Sequence, residues 1–369
     1  AQIALVRGPR WRVELGAAPA TAPLSVPGSV LVGSNRATLE MVDPQQGVSR
    51  PISFSDSVGE LSTLPAIFGG RGYLVLDDRI HAIDLAGRAR LWSWPAVSGS
   101  DSRLRLTGII AVQEHELIQG QLLVMVAAQR GELHILGVDV NGRVQPYPGL
   151  RLPGEITGQF VSNHHDASRS ILYIPAAQGL HAFDLTAITE RTPPAPLFSV
   201  RTRGDITGVP QQVVILGAPA LLCADASGLV VAIDKRVNVP ENKRIVASWA
   251  VEGTSPSTPT LTSKGDFAFI GTPDGRVSCL DLSKPGSVRW RTPSKGAGLG
   301  PLVGNPVLGR RGLYVVDSNG LIHCLDVASG ELRWRADLGG AAVGGALALD
   351  GRILVPTRNG QLVCFEEGE

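Results

Sequence analysis

The sequence predicts an all-β fold, an eight-bladed β-propeller of four-stranded antiparallel blades. Three observations predict it: a strand–turn–strand unit that recurs eight times, a composition rich in turn residues and poor in charge, and a lone N-terminal strand that fits what the last repeat lacks. Self-similarity at a period of about 40–50 residues marks propellers and related arrays. Of 369 residues, 44 are Gly and 26 are Pro without a collagen period or low-complexity tract, so the chain must reverse direction often. Hydrophobic residues make up 43% and charged residues 18%, which requires most of the chain to be buried.

The unit is sharpest at the C-terminal end, in segments 266–281, 312–326 and 352–366. Each is an apolar strand, a turn, and a second apolar strand that ends at an acidic residue. The turn dipeptides Asp274-Gly275, Asn319-Gly320 and Asn359-Gly360 suit a two-residue hairpin, because Asn or Asp followed by Gly tolerates the positive φ such a turn requires. Closing positions fall at Asp43, Asp84, Gly137, Asp184, Asp234, Asp281, Asp326 and Glu366, spaced 41, 53, 47, 50, 47, 45 and 40 residues apart. Two residues earlier stands a small or soft residue (Met41, Ala82, Ala182, Ala232, Cys279, Cys324, Cys364), and one earlier a mostly apolar one. Successive strand residues face opposite ways, so both faces of these sheets are expected to be covered, as in a blade wedged between neighbours.

An outer strand follows each closing turn, best seen in Ser287-Val288-Arg289-Trp290-Arg291 and Glu331-Leu332-Arg333-Trp334-Arg335. An inner strand with small residues and Pro precedes each hairpin, as in Ser257-Thr258-Pro259-Thr260-Leu261. The last unit stops at Glu366 without an outer strand, while Arg10-Trp11-Arg12-Val13-Glu14-Leu15 supplies an orphan with the same Arg-Trp-Arg tripeptide. The ends are therefore expected to share a blade, which leaves no open edge. The whole chain reads as one propeller domain, with 1–16 as the outer strand of the last blade and blades at about 17–58, 59–97, 98–152, 153–202, 203–253, 254–294, 295–338 and 339–369.

Lys and Arg number 34 against 33 Asp and Glu, and no basic run occurs, so no nucleic-acid footprint is present. The longest apolar stretch, 213–233, is broken by Gly217, Pro219, Asp225 and Gly228 and reads as two buried strands and a turn rather than a membrane span. No signal peptide precedes the first repeat, which leaves a mature terminus and an excised boundary equally open. Cys223, Cys279, Cys324 and Cys364 form no CxxC pair, and the last three recur at the repeat period. They read as small buried apolar residues too far apart to bridge.

Gly312-Leu313-Tyr314-Val315, Asn319-Gly320, Leu325-Asp326, Ser329-Gly330 and Trp334 together resemble the repeat of the pyrroloquinoline-quinone-like propeller family. The resemblance spans the chain and is sharp in the last three units. It implies one of two branches: quinone-dependent dehydrogenases, or non-catalytic propellers such as the BamB-like assembly proteins of the bacterial envelope. The dehydrogenase branch implies a vicinal Cys-Cys pair and a metal site of Glu, Asn and Asp. No Cys-Cys occurs here and no acidic cluster stands out, so no cofactor is expected. Ala1 stands where the assembly lipoprotein would carry a lipid-accepting Cys.

Candidate chemistry is sparse. His81, His134, His181 and His323 share one register in four units and read as packing residues, since a metal site needs three or four converging ligands. Trp11, Trp92, Trp249, Trp290 and Trp334 recur on outer strands and are expected to lock one blade against the next. No catalytic nucleophile motif occurs, and 98–101 reads as a linker between blades.

Extra length concentrates in blades 3 to 5, at 113–120, 162–170, 186–196 and 235–244. These segments join the first to the second strand or the third to the fourth, so all emerge on one face of an up-and-down disc. Loops on a rigid scaffold are where recognition sits. The residues read as partner-binding are His164, His165 and Asp166, placed in a polar loop, with Glu190, Arg191, Arg236, Glu241, Lys243 and Arg244. The expectation is a non-catalytic scaffold for another protein or for a domain of the same larger polypeptide, extracytoplasmic by resemblance. A quinone- or metal-dependent oxidoreductase and a small-ligand sensor are the alternatives.

Overall fold

In the computed structural model, which describes residues 5–6, 8–54, 59–61, 63–95, 104–166, 169–293 and 299–367, the repeats become eight antiparallel sheets. Seven have four strands and one has five. Blade 5 is typical: an inner strand Ile206–Ile215, a second Ala218–Asp225, a third Leu229–Asp234 and an outer Ile245–Ala250, each paired to the next. The apolar run 213–233 thus spans three strands and two turns, not two strands and one. The linker read at 98–101 lies outside the described residues.

The recurring acid has a local cause. In blades 1, 2, 4, 5, 6 and 7 its carboxylate accepts backbone N–H bonds from the turn that follows: Asp43 from Gln45 (2.7 Å), Asp84 from Ala86 (3.1 Å), Asp184 from Thr186 (2.8 Å), Asp234 from Arg236 (2.9 Å), Asp281 from Ser283 (3.0 Å) and Asp326 from Ala328 (2.9 Å). These are Asx turns, which reverse the chain into the outer strand. Blade 3 conforms after all, two residues later than Gly137: Asp139 accepts from Asn141 (2.9 Å) and Arg143 (2.8 Å). Glu366 has no turn to make and instead pairs with Arg10 across the ring closure.

The opposite turns differ from the two-residue hairpins expected. Strands Phe267–Thr272 and Arg276–Asp281 leave three residues between them, as do Leu313–Asp317 with Leu321–Leu325, and Arg352–Thr357 with Gln361–Glu366. The glycine N–H closes each turn onto the last residue of the second strand, at 2.9 Å to Thr272, 3.2 Å to Asp317 and 3.0 Å to Thr357. Gly275, Gly320 and Gly360 sit at φ near +86° to +88°. This is a tight turn followed by one left-handed residue, the three-residue hairpin, and it needs Gly at its third position.

Among the described residues there is no single core. Eight apolar clusters each join two adjacent blades, so stability resides in the interfaces around the ring. The outer-strand tryptophans carry these interfaces. Trp290, Trp334 and Trp11 lie opposite Cys279, Cys324 and Cys364, and Trp92 lies opposite Ala82, which explains the small residue at that register. Trp249 and Trp290 donate their indole N–H to the next blade, to the carbonyls of Asp281 (3.1 Å) and Val327 (3.0 Å). Trp11 and Trp290 press on glycines of the next blade, Gly47 and Gly330, at φ of +68° and +74°. A Cβ there would lie 2.9 Å and 2.4 Å from the ring.

The ring closes as expected. Trp11–Glu14 pairs antiparallel with Gln361–Glu366, Leu15 is buried in the seam, and Gln361 donates to Glu14 at 2.6 Å. One element was not foreseen: Leu5–Val6 adds a parallel fifth strand to the outer edge of blade 7, alongside Leu332–Asp337. Arg12, on blade 8, donates to the carbonyls of Asp337 (3.3 Å) and Leu338. The N-terminal segment therefore straddles two blades. Among the described residues no helix is long and apolar enough to cross a membrane.

Candidate interaction surface

The connections on one face of blades 3 to 5 are anchored one to another. In blade 3, segment 115–121 joins Leu106–Glu114 to Leu122–Ala128. His115 is buried; its Nδ1 accepts from the Leu117 N–H at 3.1 Å and its ring meets Tyr147 edge-on, with centroids 6.0 Å apart. Tyr147 donates to Gln121 at 3.0 Å, tying both ends of the loop to the sheet. Burial pushes the His115 pKa down, opposed by the Ile188 backbone and Glu116, so the ring is held toward its neutral form.

In blade 4, segment 185–194 joins Gly179–Asp184 to Ala195–Arg201. Leu185 and Ile188 are buried in the cluster that contains Leu123 and Tyr147 of blade 3. Gln113, also buried, donates to Ser170 at 2.7 Å across the same interface. Glu190 and Arg191 are left at the exposed tip.

In blade 5, segment 235–244 joins the third and outer strands through a short 3-10 turn, Glu241–Lys243. Arg244 was expected to face a partner, but it is 2% exposed. Its guanidinium donates to the carbonyls of Asp234 (3.2 Å), Arg236 (2.8 Å) and Val237 (2.9 Å) and stacks on the Phe198 ring of blade 4, 3.5 Å from the centroid. Three inward-pointing carbonyls and an aromatic face hold the two terminal nitrogens of this buried guanidinium. Arg236 stays half exposed and grips Asp234 with both carboxylate oxygens (3.0 and 3.1 Å from Nε). Burial raises the Asp234 carboxyl, and the bonds and charge of Arg236 with the charge of Arg244 outweigh it, holding the group below the usual carboxylate range. Glu241 accepts from the Ser199 N–H of blade 4 at 3.4 Å, and Lys243 is exposed.

The structure thus brings Glu190, Arg191, Arg236, Glu241 and Lys243 onto one face and withdraws Arg244 into its foundation. His164, His165 and Asp166 are not loop residues: they continue the inner strand Val161–Asp166 of blade 4, which pairs with Arg169–Ala176 through Asp166↔Arg169. Their side chains lie outside the described residues. The packing histidines fall on third strands of four blades. His81 meets Ser93 (2.9 Å), His181 meets Ser199 (2.8 Å), His323 meets Asp317 (3.0 Å), and His134 packs on Trp94 with centroids 6.1 Å apart.

Sequence reasoning missed a second component of this face. Leu117 is 62% exposed and Val140, Val214 and Leu216 are 69–70% exposed, all at or beside its hairpin tips in blades 3 and 5. The signal was present at Leu216-Gly217, where a left-handed turn position (φ +51°) carries leucine in place of the usual Asn or Asp.

On the opposite face, beside blades 7, 8 and 1, a cleft of about 700 Å³ is lined chiefly by small residues such as Ala18, Ala20 and Ala342, with Asn35, Glu60, Ser318 and Arg358. Its single carboxylate does not fit the Glu, Asn and Asp set that a quinone's metal needs by family resemblance. The four cysteines, each in a different blade, supply no vicinal pair.

Residues 273–369 match the sequence family described as outer membrane protein assembly factor BamB. No curated protein matches the chain. Among solved structures, BamB from Moraxella catarrhalis is 17% identical with a TM-score of 0.67, over 97% of this chain and 99% of that one. Sqt1 of Saccharomyces cerevisiae is 12% identical with a TM-score of 0.69, over 98% of both. The quinohemoprotein alcohol dehydrogenase of Comamonas testosteroni is 12% identical with a TM-score of 0.66, over 97% of this chain and 76% of that one. At these identities the shared property is the fold.

Proposed function

We propose that this chain, a β-propeller of the pyrroloquinoline-quinone-like type, is a non-catalytic scaffold. It holds a partner protein, or another domain of the same polypeptide, on the loop-bearing face of blades 3 to 5. The carrying observation is that three long connections in adjacent blades are each anchored by a buried side chain, His115, Ile188 or Arg244, and braced against the neighbouring blade. Exposed charges (Glu190, Arg191, Lys243) and the exposed aliphatic Leu117 therefore stand on fixed supports, which lowers the ordering cost of docking. A site that mixes apolar and opposed charged groups suits a folded protein better than a polyanion. The likeness of 273–369 to an outer membrane assembly factor favours a bacterial envelope setting.

A photo-crosslinking residue placed at Arg191 or Lys243 should give discrete protein adducts in cells of the source organism, and the same residue at Asp274 or Asn359 on the tight-turn face should not. The double charge reversal R191E/K243E should remove those adducts while leaving the melting temperature unchanged. Adducts confined to the tight-turn face would overturn the assignment. Stoichiometric binding of pyrroloquinoline quinone with calcium, read by absorbance, would support the oxidoreductase alternative instead.

A further inference from the structure

The cleft of about 700 Å³ beside blades 7, 8 and 1 lies on the face opposite the loops of blades 3 to 5 and shares no residue with them. Four polar side chains line it above a floor of small residues. Asn35, Ser318 and Arg358 come from the turns between second and third strands, and Glu60 from the segment entering blade 2. All four are exposed, and among the described residues none of their side chains has a hydrogen-bond or ion-pair partner. Their neighbours in the same turns are engaged: Ser34 accepts from the Arg36 N–H at 3.2 Å, Asp317 accepts from the Asn319 N–H at 3.0 Å, and Asn359 donates to the Gly339 carbonyl at 3.1 Å.

We infer that this cleft binds a short zwitterionic peptide, its carboxylate on Arg358 and its ammonium group on Glu60. Three observations carry the inference. First, the lining holds one cation and one anion that do not pair with each other, so a ligand carrying both charges is its complement. A planar guanidinium offers a carboxylate two parallel N–H donors. Second, the polar groups stand on fixed backbone. The residue that opens each turn donates its N–H to the segment entering the same blade: Asn35 to Ala18 (3.0 Å), Ser318 to Pro301 (2.8 Å) and Arg358 to Ala341 (2.8 Å). Glu60 is held through the next residue, Leu61, which is 1% exposed and donates to the Ser34 carbonyl at 3.0 Å. Blades 4 and 5 make the same bond from Ala177 (2.8 Å) and Ala226 (2.9 Å), so the turn itself does not call for a polar side chain. Third, Ala18, Ala20 and Ala342 fill so little of the space that the cleft stays within the roughly 300–1,000 Å³ of small-molecule sites. A single amino acid would leave much of that volume empty. In a peptide of about three residues the amide groups meet Asn35 and Ser318, and aliphatic side chains meet the floor.

The test is isothermal titration calorimetry of the whole chain with the tripeptide alanyl-leucyl-alanine, which should bind saturably at one site. Its amidated form lacks the carboxylate and its N-acetylated form lacks the ammonium group. Each should bind about tenfold more weakly, the lower end for losing a hydrogen bond to a charged group. R358Q should weaken the free peptide by a similar factor and no longer distinguish it from the amidated form. E60Q should likewise no longer distinguish it from the acetylated form. R191E/K243E should leave binding intact, so that failure of this site and failure of the scaffold surface are separable. No saturable binding, equal binding of all three peptide forms, or wild-type binding by R358Q or E60Q at an unchanged melting temperature would overturn the inference.

Discussion

Replacing Trp249 tests whether blade interfaces carry the stability. Its indole is 1% exposed in the cluster joining blades 5 and 6, and its N–H donates to the Asp281 carbonyl at 3.1 Å. An aromatic side chain of this kind buries on the order of 150–250 Å². At about 25 cal/mol per Å² that is roughly 4–6 kcal/mol, of which alanine keeps only a small part. Trp249→Ala should therefore cost about 3–5 kcal/mol from packing, plus about 1 kcal/mol for the carbonyl left without its donor. Trp249→Phe keeps most of the ring and should cost about 1–2 kcal/mol. Trp92 supplies the contrast: it is only half-buried, and its indole nitrogen has no hydrogen-bond partner among the described residues. Trp92→Phe removes an unsatisfied donor and should be neutral or slightly stabilising. Urea unfolding followed by far-UV circular dichroism gives these values from the midpoint at constant slope. A loss below about 1 kcal/mol for Trp249→Ala would refute the reasoning, because a ring so placed cannot be inert if the interfaces bear the load.

Deleting residues 1–16 should leave Gln361–Glu366 as an open edge and produce a large loss of cooperative stability with aggregation, and unchanged melting and solubility would contradict closure by the two ends. Burial pushes the Cys279 and Cys364 thiols up to about 12 and about 11, and Cys223 upward too, so the native protein should resist iodoacetamide at pH 8 and react fully in urea; rapid native alkylation would be the contrary result. Burial holds His115, His134 and His181 below the ordinary imidazole value. Their neutral forms favour the fold above the unfolded pKa of about 6.5, and that stability is lost as pH falls below it. The melting temperature should therefore drop between pH 7 and pH 5, and H134Q/H181Q should flatten the drop.

What could be read from the sequence were features whose cause is local. The closing aspartates recur because each binds the amides two or three residues ahead, and the turn glycines recur because one position of each hairpin is left-handed. Such requirements repeat with every blade and so appear as a period. The closing strand was legible for the same reason, since Arg10-Trp11-Arg12 repeats a tripeptide that other blades use in the same place. Blade 3 was misplaced at Gly137 because its third strand runs on to Val138, so that the Asx turn falls at Asp139, two residues later.

The candidate surface was legible only as extra length, because what a loop side chain does depends on the neighbouring blade. Arg244 and Arg236 stand eight residues apart in one polar segment, and nothing in that segment distinguishes them. Phe198 of blade 4 and three inward-facing carbonyls bury the first, while the second keeps its charge at the surface against Asp234. His164 and His165 looked like loop residues until pairing with Arg169–Ala176 carried the inner strand of blade 4 through them. The sequence by itself determined the repeat, the number of blades and the way the ring closes, since hydrogen bonds within a few residues and strand alternation impose those patterns on the chain. Only the tertiary structure decided which side chains became foundation and which became surface, because that depends on contacts between blades some fifty residues apart, where no local rule constrains the residue type.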